Sequence, residues 1–584
     1  MPYLDLYTSV LTAKTAAHLL RRATFGPTQA EISVFTGQSA TTAVQKLITN
    51  ANYNPAQPVD LDSTRATAGQ PYLRSASTPA GQYLPFDGDR NFDYGLYIKY
   101  WWLGLMTQQT ATTTFSNSTT SLLDKLTLFW QNHFVTTREV VDDYRFVWSY
   151  LQLLRTNALG DFRVLVTQIT KEPAMLKYLN GDMNEVGAGK ANENYGRELQ
   201  ELFTVGAFDA EGNKNYTEDD VKNAARVLTG WKYTNYWTTG STSFATTFTS
   251  SKHDTTDKTF SDKYSLTTIT GRSGTTAGDL ELTDLVSMLL NHPQTSRFIC
   301  RKLFRWYVNP NVTPDIETNV IVPLAALFVS SNYQIQPVIE KLLTSQIFFD
   351  EVNIGAIVKS PAELMLGATR FFNQPVPGLS PSVKPYKTLF DFMYWRMRDQ
   401  QLDLMDQPTV FGHEPYYQTG YSKIWINTTT MALRNDFTDA LIWRWLTVDA
   451  APTPPYKYGI DLLAWVTPLQ INFGSFASIP TSSNQSPAPT TPPVTCVQVL
   501  NAFLLNLFAT ELGQSQKDFL IDKIMMMDQS PRTTWEFEWN RYRRTASYPS
   551  AYTAKDVSDA IGTIYWRLQT LMRYMLRMAE FHLS

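Results

Sequence analysis

Between Asn192 and Gly206, three polar residues, Asn194, Glu198 and Glu201, fall at i, i+4 and i+7. That spacing puts them on one face of a helix, beside a stripe of Leu199, Leu202 and Phe203 that must meet a core. Carboxylates at the border of a buried face are placed for metal ligation or for work as a perturbed general base. Glu193, Arg197 and Glu201 also stand at i, i+4 and i+8. A salt-bridged surface ladder, at about 0.3 kcal/mol per pair, explains that spacing equally well.

Histidine is scarce, with six in the chain. His133 follows Phe129-Trp130-Gln131-Asn132 at the end of an apolar, aromatic helix, where an imidazole either bonds a loop carbonyl or serves a site. His253-Asp254 lies in a polar stretch between Lys252 and Thr255. Loops on a helical scaffold commonly carry functional groups; an exposed loop tip is the plain alternative. Were these segments to converge, His133, Glu198 and Glu201 would be the catalytic set. His253 and Asp254 would join them around a divalent metal that activates water. Without metal, Glu198 would act as base and His133 as acid. Asn132, Asn194, Arg197 and Trp231 would orient or bind. No H-E-x-x-H, G-x-S-x-G, P-loop or dinucleotide fingerprint is present, and Gly187-Ala188-Gly189-Lys190 lacks the spacing of a phosphate loop.

The elements that must position these residues are helical. Apolar residues at helical period predict a mainly α fold, a multi-helix array with long irregular loops and short β-hairpins near 236–275. Residues 1–235 form an N-terminal helical part, 276–449 a middle helical part and 496–584 the C-terminal helices. Residues 450–495, with Pro489, Pro492 and Pro493, read as a surface excursion. Individual helices are predicted at 94–110, 119–134, 140–157, 192–206 and 553–582. Thr217-Glu218-Asp219-Asp220 opens another with a capping box.

Composition narrows the function classes. A net charge of −3 gives no field to draw nucleic acid. Two cysteines in 584 residues, Cys300 and Cys496, cannot build a disulfide framework. No apolar run reaches the eighteen or so residues of a membrane span, and the opening Met1-Pro2-Tyr3-Leu4-Asp5 carries no leader pattern.

Several runs carry a family resemblance: Ala17 to Gly26 (AHLLRRATFG), Phe129 to Phe134 (FWQNHF), Asn192 to Phe203 (NENYGRELQELF), Tyr216 to Val221, Leu228 to Trp231, His253-Asp254, Lys359 to Leu364 (KSPAEL) and Glu580 to His582. In these the chain resembles a large bacterial family catalogued as domain of unknown function eighteen-hundred. The motifs extend over almost the whole chain and imply one family unit over 1–584. Gly196 and Gln200 depart from the Ala and Leu more usual in the family, which weakens the helix or its stripe. The resemblance also implies a neighbour, since family genes often lie beside proteins resembling the alkaline phosphatase and sulfatase superfamily with twin-arginine export signals. The expected function is therefore a non-enzymatic, envelope-associated scaffold or export partner of such a hydrolase-type protein, with self-assembly as a further form. Its place is the periplasm or the exterior, by partner-assisted export, with the cytoplasm as alternative. The competing expectation is a metal-dependent or acid/base hydrolase. A His133 or His253 nitrogen within about 5 Å of Glu198 in a solvent-reached cleft favours the enzyme.

Overall fold

The structure is a computed structural model describing residues 3–75, 77–79, 81–107, 120–187, 191–417, 420–452, 454–470, 493–528 and 530–584. Among these residues the chain is a mainly α array with three two-stranded antiparallel sheets, in agreement with the helical periodicity. A single apolar core runs from Leu11, just ahead of the first helix, to Phe581 near the end. The opening segment is tied to the middle of the chain by an isolated antiparallel bridge between Leu6 and Ser345, and Leu583 bridges Val358 in the same way.

Helix starts follow the local chemistry. Thr12, Thr28, Thr217, Ser360 and Thr553 each cap a helix, with the residue three positions on bonding back to the cap. Two of those capping carboxylates work twice. Glu31 caps at Thr28 and takes both 2.7 Å bonds from buried Arg370 Nη2. Glu363 accepts from Ser360 N at 2.7 Å and holds the buried Lys125 ammonium. The turn that follows the first helix, Ala13–Ala23, passes the helix Pro361–Phe371 so closely that a Cβ on Gly26 would lie 2.9 Å from Gly367 Cα.

Several boundaries differ from the sequence reading. The helix expected over 94–110 is Asn91–Met106, and 108–119 lie outside the described residues. The one expected over 140–157 is broken, because Asp142 adopts φ 47° between Arg138–Val141 and Tyr144–Asn157. The C-terminal helix runs Ala554–Met575, followed by a 3-10 turn over Ala579–His582. Hairpins occur where the polar stretch was read, Trp231–Tyr233 pairing Thr246–Phe248 and Lys258–Thr259 pairing Thr268–Ile269. The first strand begins five residues ahead of the expected boundary at 236. In the 450–495 interval, Tyr456–Tyr458 pairs Leu446–Asp449, whereas the Pro-rich run 488–492 lies outside the described residues, as do Ala188, Gly189 and Lys190. None of the described helices is long and apolar enough to cross a membrane.

Candidate functional site

The signature segment is two kinds of helix in succession. Asn192 caps an α-helix, Glu193–Glu198, by accepting from Asn194 N at 3.0 Å. From Leu199 to Thr204 the chain widens into a π-helix, with Val205 N bonding back to Gln200 O. Single π turns inside helices mark functional sites more often than ordinary turns do. Here the α part must pass close to the neighbouring helix Glu218–Val227, since a Cβ on Gly196 would lie 3.0 Å from both Ala225 N and Val221 O. Gly196 therefore serves a close crossing, and the departure read as weakening the helix has a packing reason. Gln200 is equally placed: buried, it donates to Gly196 O at 2.9 Å and accepts from Tyr264 Oη at 2.8 Å.

The two carboxylates of the face lie near each other and are treated differently. Glu201 accepts a short bond from the Tyr216 hydroxyl. Half-buried Glu198 has no hydrogen bond or ion pair among the described residues. Its burial, helped by the charge on Glu201 and opposed by Arg197, pushes its pKa up to about 7. Tyr178, on the helix Pro173–Tyr178, lies within the field of Glu198. Such a carboxyl exchanges its proton near neutral pH, as acid/base chemistry requires. Asn194 is exposed, and Arg197 is turned to Glu218, which it grips at 2.7 and 3.1 Å, with Glu193 at 3.8 Å.

His133 occupies a different environment. Its Nε2 lies 3.0 Å from the Phe203 carbonyl, at the end of the π-helix, so Nε2 carries the proton and donates. Nδ1 then accepts from Lys302 Nζ at 2.9 Å. Both groups are buried. Burial, followed by the Lys302 charge, holds His133 well below its usual pKa, and burial with the nearby Arg305 brings Lys302 down to about 7. The Lys302 ammonium rests 4.1 Å from the Tyr417 ring centroid. Asn132 faces the other way, accepting from His413 N at 2.8 Å.

His253 and Asp254 are neighbours in sequence with separate partners. Buried His253 donates from Nδ1 to Thr229 O at 3.0 Å and sets Nε2 3.1 Å from Glu281 Oε1. Glu281 is itself buried and takes 2.6 and 2.7 Å bonds from Lys258 Nζ and Arg272 N. Asp254 is bound by Arg226 Nε at 2.8 Å. Burial alone would raise its pKa, but the hydrogen bonds from Arg226 and Thr256 bring it to about 2. Trp231 lies in the first hairpin, packed 5.2 Å from Phe248 with the Lys171 ammonium over its ring.

The five residues expected to converge are thus held in three places: Glu198 with Glu201, His133 with Lys302, and His253 and Asp254 with Glu281 and Arg226. Among the described residues no three His, Cys, Asp or Glu side chains are grouped to hold a metal ion, so the residues present do not fit the expected divalent centre. Sequence reasoning missed Tyr216, Lys258, Glu281, Lys302 and Lys125. Lys302 had a signal, one of two adjacent cations, with Arg301, in the otherwise apolar run Ile299 to Phe304, and so did Glu363, third after the Ser360 cap.

A family profile described as "Protein of unknown function (DUF1800)" matches residues 18–583. The chain matches no curated protein and no solved structure.

Proposed function

The chain belongs to the DUF1800 family, and we propose that it works as a non-enzymatic, envelope-associated protein, a scaffold or export partner for a hydrolase-type protein of the alkaline phosphatase and sulfatase kind. One observation carries this reading: apart from Glu198, the charged motif side chains are engaged by partners within the chain. His133 engages Lys302 and Phe203, Asp254 engages Arg226, Arg197 engages Glu218, and Glu363 engages Lys125. A surface supports it too. Trp443, Trp445 and Trp566 are 44%, 61% and 48% exposed. The helices that carry Trp443 and Trp566 are held together by Gln569 Nε2 to Ile442 O and by Arg573 to Asp439. Exposed tryptophans on helices that pack against each other suit a protein partner.

Co-expression with the sulfatase-like neighbour tests the proposal. Both proteins should co-purify, and the chain should reach the periplasm only while the partner's twin-arginine signal is intact. Trp445→Ser with Trp566→Ser should release the partner without changing the circular dichroism of the chain. Export that is indifferent to the partner, with no co-purification, would sink the idea.

A second reading is favoured by Glu198 alone, an unpaired carboxyl beside Glu201 whose pKa of about 7 suits a general base in hydrolysis. It calls for ester, phosphate or glycoside hydrolysis by purified protein with a pH inflection near 7, abolished by Glu198→Gln. Activity unchanged in that variant removes this reading.

A further inference from the structure

A cavity on the far side of Glu363 from the first helix is lined by Lys125, Arg305, Trp306, Glu363, Tyr416 and Trp425, together with small and apolar residues such as Ile357 and Val358. It leaves about 590 Å³ unfilled by protein atoms, part of it continuous with solvent, and the centre of a water-sized molecule can reach about 80 Å³. The walls are aromatic. Tyr416 lies 4.4 Å from Trp306 and 4.6 Å, edge-on, from Trp425, centroid to centroid.

The wall also carries unused donors. Trp425 Nε1 and Arg305 Nε are buried with no acceptor among the described residues. Trp306 Nε1 and Tyr416 Oη are in the same condition by strict geometry, with only the Tyr307 and Ser360 hydroxyls in their vicinity. An indole N–H and a guanidinium can only donate, and buried donors are almost always satisfied in folded proteins. The charge balance points the same way. Glu363 is occupied by Lys125 on one oxygen and by Ser360 N on the other, and Glu317 is gripped by Arg301 at two 2.7 Å contacts. Arg305 is left lining the cavity with its Nε lacking an acceptor among the described residues.

We propose that this cavity binds a small organic carboxylate, its anionic head taken by Arg305 Nε and Trp425 Nε1 and its flat or cyclic body laid against the aromatic wall formed by Trp306, Tyr416 and Trp425. The body is specified by the walls: an inorganic oxyanion would satisfy the donors but leave the aromatic faces in contact with water, whereas a flat carboxylate uses both. The site shares no residue with the Glu198 face, so it stands whether or not that face has an activity.

Benzoate is the probe, benzamide its neutral isostere and inorganic phosphate the bodiless anion. Titrated into the purified full-length chain, benzoate should quench tryptophan fluorescence saturably and raise the melting temperature. Benzamide and phosphate should bind at least tenfold more weakly. Arg305→Gln, at a partly exposed position, should abolish the benzoate response. Trp425→Phe, which keeps a ring and removes the donor, should weaken it about tenfold, with both variants melting near the parent temperature without ligand. The proposal is overturned if benzoate does not saturate at millimolar concentration, if benzamide or phosphate binds as well, or if Arg305→Gln binds unchanged. Should Arg305→Gln melt early, Trp425→Phe alone decides: an unaltered benzoate affinity refutes the site.

Discussion

Glu172 lies between the helices Phe162–Lys171 and Pro173–Tyr178, buried, with Oε1 lacking a partner among the described residues. The aromatic hydroxyls of Tyr83 and Tyr150 are within its field. Burial raises its pKa to about 8 against a hydrogen bond from Ser149. The folded chain therefore keeps a proton that the unfolded chain releases near 4.5. A raised folded pKa means that the folded state binds the extra proton, so stability is fully present below the unfolded value and falls as pH rises towards 8. At about 1.4 kcal/mol per pH unit, the loss reaches about 3 kcal/mol at pH 7. Glu172→Gln stays neutral at every pH and escapes that loss. For a chain of 584 residues, about 3 kcal/mol corresponds to a rise of about 2–3 °C in Tm. Thermal melts of both proteins from pH 4.5 to 8.5 should coincide at the acid end and separate steadily, the variant ahead, up to pH 8. A constant gap across the range, or a variant less stable at pH 7, refutes the reasoning.

Other perturbations follow from the same contacts. Gly196→Ala gains helix propensity yet presses Cβ against the Glu218–Val227 backbone at 3.0 Å, for a net loss of about 1–2 kcal/mol in denaturation; a stabilised variant would show that the helices do not cross so closely. Glu363→Gln strands the buried Lys125 ammonium and should cost about 3–5 kcal/mol, part of which Lys125→Met in the same chain should restore; additive effects would deny the pairing. Asp254 has a depressed folded pKa of about 2, so its contribution is present above pH 3.8 and lost as pH falls through 2. Asp254→Asn should therefore cost about 1 kcal/mol at pH 7, after allowing for solvent screening, and nothing near pH 2. A pH-independent cost would assign the effect to packing.

The helical elements were legible because their apolar residues recur at the helical period and their starts carry Thr or Ser caps. The carboxylate face was legible for the same reason: Glu198 and Glu201 are one turn apart and act on each other. The π turn after Glu198 was not, because the change in backbone register is sustained by distant groups, the His133 ring on Phe203 O and Tyr264 on Gln200. Nor could the sequence separate His253 from Asp254. His253 is in extended conformation, φ −91° and ψ 140°, and successive side chains of extended backbone point to opposite sides. One neighbour turns inward to Glu281 and the other to Arg226. The aromatic cavity was hidden for a third reason, since its walls come from segments near 305, 360 and 420 that only tertiary packing brings together.

Arg21 has a consequence for the order of synthesis. Its Nη2 binds the carbonyls of Leu505, Asn506 and Phe508, the terminal turn of the helix Cys496–Leu507, which is translated almost five hundred residues later. At about 5–20 residues per second on the ribosome, the first helix waits roughly half a minute to more than a minute and a half for its partner. During that interval the Arg21 guanidinium, buried in the finished fold, has none of these carbonyls to donate to. A chain that stops short of Leu505 leaves that guanidinium without these three acceptors, so the first helix can reach its finished contacts only after the C-terminal part has been made.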